Sequence, residues 1–207
     1  MKNITPNPIT DTAETDALLN QYELDREKLI AAGHHALAAS ATASPLHPSN
    51  AAGMFSYMDG VRGLRVENLG GNWEVFKKEG VEGIQNKALK IRVLYANVNQ
   101  ACGIDSPKAR SRKGAGSERI AGGNLFDTAG IHLPLTELKL KGDYKTHYLM
   151  VDPNGAMELS LPIVKNGQFL TCTERLFLIA GGDLNNTDQE LDDPINEHDL
   201  DVIISRK

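Results

Sequence analysis

Residues 144–180 of the chain read YKTHYLMVDPNGAMELSLPIVKNGQFLTCTERLFLIA, and this stretch decides the fold class. Three apolar runs are separated there by DPNG at 152–155 and by NG at 166–167. Proline presets one backbone angle of a turn, and asparagine and glycine tolerate the positive φ that tight connections between antiparallel strands require. The pattern therefore predicts an antiparallel meander, and an apolar run at 131–140 predicts a further strand ahead of it.

The segment 11–43 has the periodicity of a helix. Its leucines and isoleucines recur about three and four positions apart among charged residues, and an alanine-rich continuation favours the same structure. We expect one helix that is bent at Gly33 and stopped by Pro45 and Pro48.

A second helix is predicted to begin at Ser49 or Asn50, whose side chains can cap exposed amides, and to end at Gly70 and Gly71. The apolar face of this helix is expected to pack in the core rather than to line a ligand pocket. This face comprises Met54, Phe55, Met58, Val61 and Leu64.

Apolar residues in 84–98 repeat at spacings of four and three, which favours a third helix. The shorter run KIRVLY at 90–95 also alternates like a strand, but the longer pattern contains it. Helices placed ahead of a meander are typical of an α+β fold in which they cover one face of the sheet.

The sequence predicts a single α+β domain over 11–207, preceded by a flexible lead-in at 1–10. Within the domain we expect a helical part at about 11–103, a basic glycine-rich loop at 104–124 and a β-rich part at about 130–207.

The loop at 104–124, IDSPKARSRKGAGSERIAGGN, concentrates positive charge in an acidic chain. Five basic residues meet two acidic ones there, so the loop carries +3 while the whole chain carries −5. Arginine can bind a phosphate through two parallel hydrogen bonds, and glycine lets backbone amides point at an anion. The residues predicted to contact phosphate are Lys108, Arg110, Arg112, Lys113, Ser117 and Arg119.

Known phosphate-binding signatures are absent from this loop. Gly116 is not followed by the lysine of a Walker A motif, and Arg119 stands where a dinucleotide fingerprint requires glycine. The same composition is also typical of a solvated loop that binds nothing, so both interpretations stay open.

The charge pattern favours a non-catalytic protein that binds nucleic acid or another phosphate-bearing partner through the loop. The alternative is a protein-interaction module or a homo-oligomer, in which the loop meets an acidic surface of a partner or of a second copy. The stretch 181–201, with eight carboxylates and no lysine or arginine, offers such a surface. It also begins like a calcium-binding loop, but Asp188 and Pro194 replace the required glycine and glutamate.

Composition narrows the remaining classes of protein. No apolar run is long enough to cross a bilayer and the N-terminus has no secretory signal, so we expect a cytosolic protein without membrane contact. Aromatic residues make up 5 % of the chain, too few to favour a stacking platform for single-stranded nucleic acid. No metal and no cofactor is predicted.

Two enzymatic alternatives remain. A magnesium-dependent nuclease could use Asp143, Asp152 and Glu158, although the usual accompanying lysine is missing. The residues 100–103, QACG, resemble the first four positions of the caspase cysteine motif, which would imply a nucleophilic Cys102 with a histidine base such as His47. The fifth position departs from that motif, because Ile104 replaces glycine.

Overall fold

A computed structural model describes residues 7–121 and 144–180, and its α+β fold confirms the predicted class. The described residues contain four helices: α1 (Thr12–Gln21), α2 (Arg26–Ala41), α3 (Ala51–Asn68) and α4 (Ala115–Ala121). They also contain six strands: β1 (Trp73–Lys78), β2 (Val81–Asn86), β3 (Ile91–Asn97), β4 (Lys145–Val151), β5 (Met157–Lys165) and β6 (Gln168–Ile179).

The six strands form one sheet whose spatial order follows the chain, from β1 to β6. All neighbouring strands are antiparallel except β3 and β4, which run parallel from the pair Ile91 and Lys145 to the pair Asn97 and Val151. A parallel pair needs a long crossover connection, and residues 98–144 provide it.

Both faces of the sheet are buried at its central strand β3. Val93 and Tyr95 of β3 belong to the cluster that packs against α1, α2 and α3. Leu94 and Ala96, which alternate with them, belong to a second cluster that includes Ile120 of α4. Successive side chains of a strand point to opposite faces, so a strand covered on both faces becomes continuously apolar.

This double burial explains an incorrect prediction. The run 84–98 forms β2 and β3 instead of a helix, so the helical part does not extend to residue 103. A strand that is apolar on both sides cannot be distinguished from a buried helix by periodicity alone. The connection between β1 and β2 is a tight turn in which Glu79 and Gly80 both have positive φ.

The predicted helix at 11–43 is two helices. Asp11 and Asp25 cap α1 and α2 through hydrogen bonds to the amides of Glu14 and Lys28. Between the helices Glu23 has a φ of 56°, which ends α1. The N-terminal lead-in is also more ordered than predicted at its described end, because Ile9 pairs with β6 through two backbone hydrogen bonds of 2.9 and 3.0 Å.

The predicted meander is confirmed by β4, β5 and β6. Asn166 and Gly167 have φ values of 53° and 73°, as the NG signal requires. The strand predicted at 131–140 lies outside the described residues.

α3 packs through a face of small residues, contrary to the prediction. A Cβ atom on Gly60 would lie 2.6 Å from the Tyr95 ring, and one on Gly63 would lie 2.9 Å from the carbonyl oxygen of Ala32. This close approach to the sheet and to α2 leaves Met54 and Met58 52 % and 62 % exposed on the other side of the helix. The predicted packing of Val61 and Leu64 is confirmed, because both are buried.

Candidate anion-binding cavity

A cavity of about 590 Å³ lies between α3, the sheet and the basic segment 110–117. Four of the six residues predicted to contact phosphate line it: Arg110, Arg112, Lys113 and Ser117. Met54, Tyr57 and Met58 of α3 line the same cavity. The structure thus brings most of the predicted site residues together around one cavity.

Backbone hydrogen bonds fix the basic segment at both ends of the cavity. The amide of Arg110 donates to the carbonyl oxygen of Asn97 at 3.0 Å, and the amide of Lys113 donates to Gly167 at 2.8 Å. Further along, a Cβ atom on Gly116 would collide with the carbonyl oxygen of Glu79. The glycine therefore allows α4 to approach the turn between β1 and β2.

The segment 104–124 is not entirely a loop, because α4 occupies 115–121. A carboxylate oxygen of Glu118 accepts a hydrogen bond of 3.0 Å from the amide of Asn166, which anchors α4 to the turn between β5 and β6. Residues 122–124 lie outside the described part of the chain.

The three cations of the cavity have no carboxylate partner among residues 7–121 and 144–180. Arg110 and Lys113 form no ion pair there, and the Nη2 atom of Arg112 makes only a 3.4 Å contact with the carbonyl oxygen of Asn166. Elsewhere Arg65 and Arg119 are ion-paired. Within the described residues, therefore, no carboxylate compensates the charge of these three side chains.

Glu82 is the carboxylate that lines this cavity, and its charge is already compensated. It accepts a hydrogen bond from Arg65 at 2.9 Å and lies 3.3 Å from the Nζ atom of Lys77. These bonds lower the pKa of Glu82, so it remains ionised and bound to those two cations.

Lys113 lies in an apolar environment. Its Nζ atom is 5.4 Å from the ring centre of Phe169 and 5.8 Å from that of Tyr148. Burial disfavours the charged amine and lowers the pKa of Lys113 to about 8. The lysine thus combines a contact with two aromatic rings and an incompletely solvated charge.

Tyr148 lines the cavity, but its hydroxyl is buried behind the cavity surface. The residue is 1 % exposed, and its oxygen has no partner within hydrogen-bond geometry among the described residues. Burial raises the pKa of Tyr148 to about 12, and the nearby Ser117 hydroxyl offsets part of that rise. An unpaired buried hydroxyl costs on the order of 1–3 kcal/mol, and because this atom is closed to solvent a ligand in the cavity does not reach it without a rearrangement.

A hydrogen-bond network fixes the rim of the cavity. Ser56 and Tyr95 both donate to the Oδ1 atom of Asn97, at 2.7 and 2.8 Å, and the Asn97 amide group donates to Gly53 at 3.1 Å. Arg110 adjoins this network and also borders a second cavity of about 470 Å³. These bonds tie Asn97 to α3, and Arg110 lines both cavities.

Two of the predicted site residues lie elsewhere. The Nε atom of Arg119 is 2.6 Å from Glu79, so its charge is paired. Lys108 is exposed and does not line the cavity, and its amide donates to the Oδ1 atom of Asn99 at 2.8 Å.

The side of the cavity formed by α3 and the sheet was not predicted from the sequence. Met54 and Met58 were predicted to pack in the core and Tyr148 to lie in an ordinary strand, while no role was predicted for Tyr57. Gly60 and Gly63, three positions apart in α3, were the available signal, because glycines on one helix face indicate that this face makes the close contact.

Two of the three carboxylates considered for a nuclease, Asp152 and Glu158, serve the fold. Both oxygens of Glu158 are bonded to Arg175, at 3.0 and 2.6 Å, and the pair is fully buried. Asp152 accepts hydrogen bonds from the amides of Asn154 and Ala156 at 2.8 and 3.1 Å, as expected of a turn residue. The described residues contain no group of three metal-ligating side chains, and Asp143 lies outside them.

Cys102 does not have the environment of a nucleophile. Burial, together with the charge of Glu158, raises the pKa of its thiol to about 12. The Sγ atom donates to the carbonyl oxygen of Met157 at 3.2 Å. His47 is engaged locally, because its Nδ1 atom lies 3.0 Å from the amide of Ser44.

No protein-family model, curated protein or solved structure matches the chain. No helix within 7–121 or 144–180 is long and apolar enough to cross a membrane. The class of the protein is therefore defined by the fold and the site of the chain itself. It is an α+β protein with a cationic cavity that is lined by tyrosine and methionine.

Proposed function

We propose that the chain is a non-catalytic binding protein that takes a phosphate-bearing small molecule into this cavity, in the cytosol. One observation carries the proposal: Arg110, Arg112 and Lys113 line the same cavity and have no carboxylate partner in the described part of the chain. Two arginines and a lysine are the side chains that bind phosphate in proteins, the arginines through paired hydrogen bonds.

The shape of the cavity supports a small ligand. Its volume of about 590 Å³ is in the range of small-molecule sites. Met54, Met58 and Tyr57 offer an adaptable apolar wall in the same cavity. We therefore propose a ligand with a phosphate at one end and a flat or apolar group at the other, as in a mononucleotide.

Calorimetric titration tests the proposal. Pyrophosphate, a mononucleotide, a single-stranded oligonucleotide and a duplex are titrated at low and moderate salt into wild type and Arg110→Ala/Arg112→Ala. Loss of two charge-assisted hydrogen bonds is expected to weaken mononucleotide binding by about a hundredfold. The matched control is Lys108→Ala/Arg119→Ala, which removes the same charge outside the cavity and is expected to bind as wild type does.

Two results would contradict the proposal. Equal weakening by both double variants would indicate a general effect of net charge rather than a site. Binding of the duplex alone, with a steep loss on adding salt, would indicate a nucleic-acid surface instead of a small-molecule cavity.

Binding to an acidic protein or to a second copy remains an alternative prediction. The acidic stretch at 181–201, on which it depends within the chain, lies outside the described residues. A complex of defined stoichiometry that survives nuclease treatment and depends on Arg110 and Arg112 would favour this alternative.

A further inference from the structure

We propose that Lys113 is a reactive amine that forms a reversible imine with a phosphate-bearing aldehyde bound in the cavity. The inference names a ligand class for the proposed site and rests on that proposed function, because the arginines that bind the phosphate would also place the carbonyl group.

The surroundings of Lys113 differ from those of the other lysines. Every other lysine within 7–121 and 144–180 is exposed, and Lys77 and Lys87 are ion-paired with carboxylates at 3.3 and 2.6 Å. Lys113 instead has the rings of Tyr148 and Phe169 within 6 Å of its amine and has no carboxylate partner in these residues. A desolvated lysine that is not ion-paired is the kind that proteins use as a nucleophile.

The neutral amine is the form that attacks a carbonyl group. With a pKa of about 8, roughly one Lys113 in ten is neutral at pH 7, whereas an ordinary lysine is neutral about once in several thousand. This difference raises the share of reactive amine at Lys113 well above that of an ordinary lysine, before any effect of binding.

The other titratable groups of the cavity do not change charge between pH 7 and 9. Burial raises the pKa values of Tyr57, Tyr95 and Tyr148, so these side chains stay neutral. Arg65 and Lys77 keep Glu82 ionised. The other cations that line the cavity are Arg110 and Arg112, and arginine is not deprotonated in proteins.

The arginines and the lysine can bind different groups of the ligand. A guanidinium cannot form an imine under these conditions, so Arg110 and Arg112 are suited to hold the phosphate while Lys113 reacts. The amine nitrogen bonds to the carbonyl carbon, and the resulting carbinolamine loses water. The water carries away the carbonyl oxygen and takes both hydrogens of the neutral amine, and hydrolysis reverses the step without any oxidant or reductant.

The cavity also supplies a hydroxyl group for the oxygen that leaves. Ser117 lines the cavity and is half-buried, and its hydroxyl can hydrogen-bond the carbonyl oxygen of the ligand.

The test uses pyridoxal 5′-phosphate as the probe and pyridoxal, which lacks the phosphate, as its matched control. The full chain is incubated with each at pH 7.5, as a working value near the pKa of Lys113, and the imine is trapped with borohydride. Peptide mass spectrometry then locates the adduct. Lys113→Arg, Lys165→Arg and Arg110→Ala/Arg112→Ala are treated alike, and pyrophosphate binding to wild type is measured in parallel.

We expect the phosphate-bearing probe to label Lys113 at least about tenfold more than any exposed lysine, and pyridoxal to label it less. Lys113→Arg should remove the adduct, Lys165→Arg should retain it, and the double arginine variant should reduce it about tenfold or more.

Label spread over the exposed lysines, or unchanged labelling of Lys113→Arg, would overturn the inference. If either of these results is found and pyrophosphate still binds, the phosphate site is supported and only the imine is wrong. If pyrophosphate does not bind and both probes label Lys113 equally, the phosphate site and the proposed ligand class are both wrong.

Discussion

Glu158 and Arg175 form a fully buried ion pair, with 2.6 Å between the carboxylate and the Nη2 atom. The same guanidinium donates to the carbonyl oxygen of Gly103 at 2.9 Å, and the carboxylate accepts from the amide of Cys102 at 2.7 Å. The crossover contains the basic segment. The buried pair thus holds the start of this crossover against β5 and β6.

Glu158→Gln should therefore destabilise the protein strongly. Removing one partner leaves a buried guanidinium without its counter-charge, which costs about 3–5 kcal/mol. Urea unfolding would measure the loss. Replacing both residues, as in Glu158→Met/Arg175→Met, is expected to cost less than the sum of the two single changes; strict additivity would show that the charges do not interact.

Lys113→Met is expected to stabilise the ligand-free protein at pH 7, and the gain should shrink between pH 8 and 10. The folded pKa of Lys113, about 8, lies below the unfolded value, so the unfolded chain binds more protons in that window and wild-type stability rises with pH there. Unfolding curves of both proteins across this range check the prediction.

The comparison with wild type is needed because other groups titrate in the same range. Burial raises the pKa values of Cys102 and Cys172 to about 12, so unfolded thiols lose protons first and reduce stability as pH rises. This contribution is the same in both proteins and cancels in the difference. If the difference in free energy of unfolding between Lys113→Met and wild type does not change with pH, Lys113 is not desolvated.

Tyr148→Phe separates stability from binding. The hydroxyl has no partner among the described residues, so its removal should leave the free energy of unfolding unchanged or raise it by about 1 kcal/mol. Affinity for the mononucleotide should stay as in wild type, because this hydroxyl is closed off from the cavity. A variant that is less stable or that binds more weakly would contradict these expectations.

Gly60→Ala should destabilise the contact between α3 and the sheet. The added methyl group would lie 2.6 Å from the Tyr95 ring, and overpacking of this kind costs about 1–3 kcal/mol. Gly53→Ala in the same helix is the control, because no atom lies within 4 Å of its added Cβ. Thermal unfolding should move in opposite directions for the two variants, since alanine favours a helix wherever space allows.

Local chemistry determined which parts of the fold the sequence could predict. The Asn166-Gly167 turn was predicted because positive φ is a property of those two residues. The strand Ile91–Asn97 was not predicted. It is apolar because elements far away in the chain bury it on both faces.

The same distinction applies to the site. Charge identified Arg110, Arg112 and Lys113, but it could not show that Arg119 is neutralised by Glu79, forty residues earlier. Nor could the periodicity of α3 show which of its sides is core. Gly60 determines which side of α3 packs in the core, because it has no side chain and the Tyr95 ring can lie against it.

The parallel pairing of β3 with β4 has a consequence for the order of folding. It joins two three-stranded antiparallel units, each made of neighbouring segments, and it depends on closing a long loop. Local hairpins form faster than such distant pairings, so we expect the two units to form first and to dock last. The cavity draws Tyr95 from one unit, Tyr148 from the other and Lys113 from the connection, so it exists only after docking. A bound ligand would then act as a clamp across the last-formed junction and slow its opening.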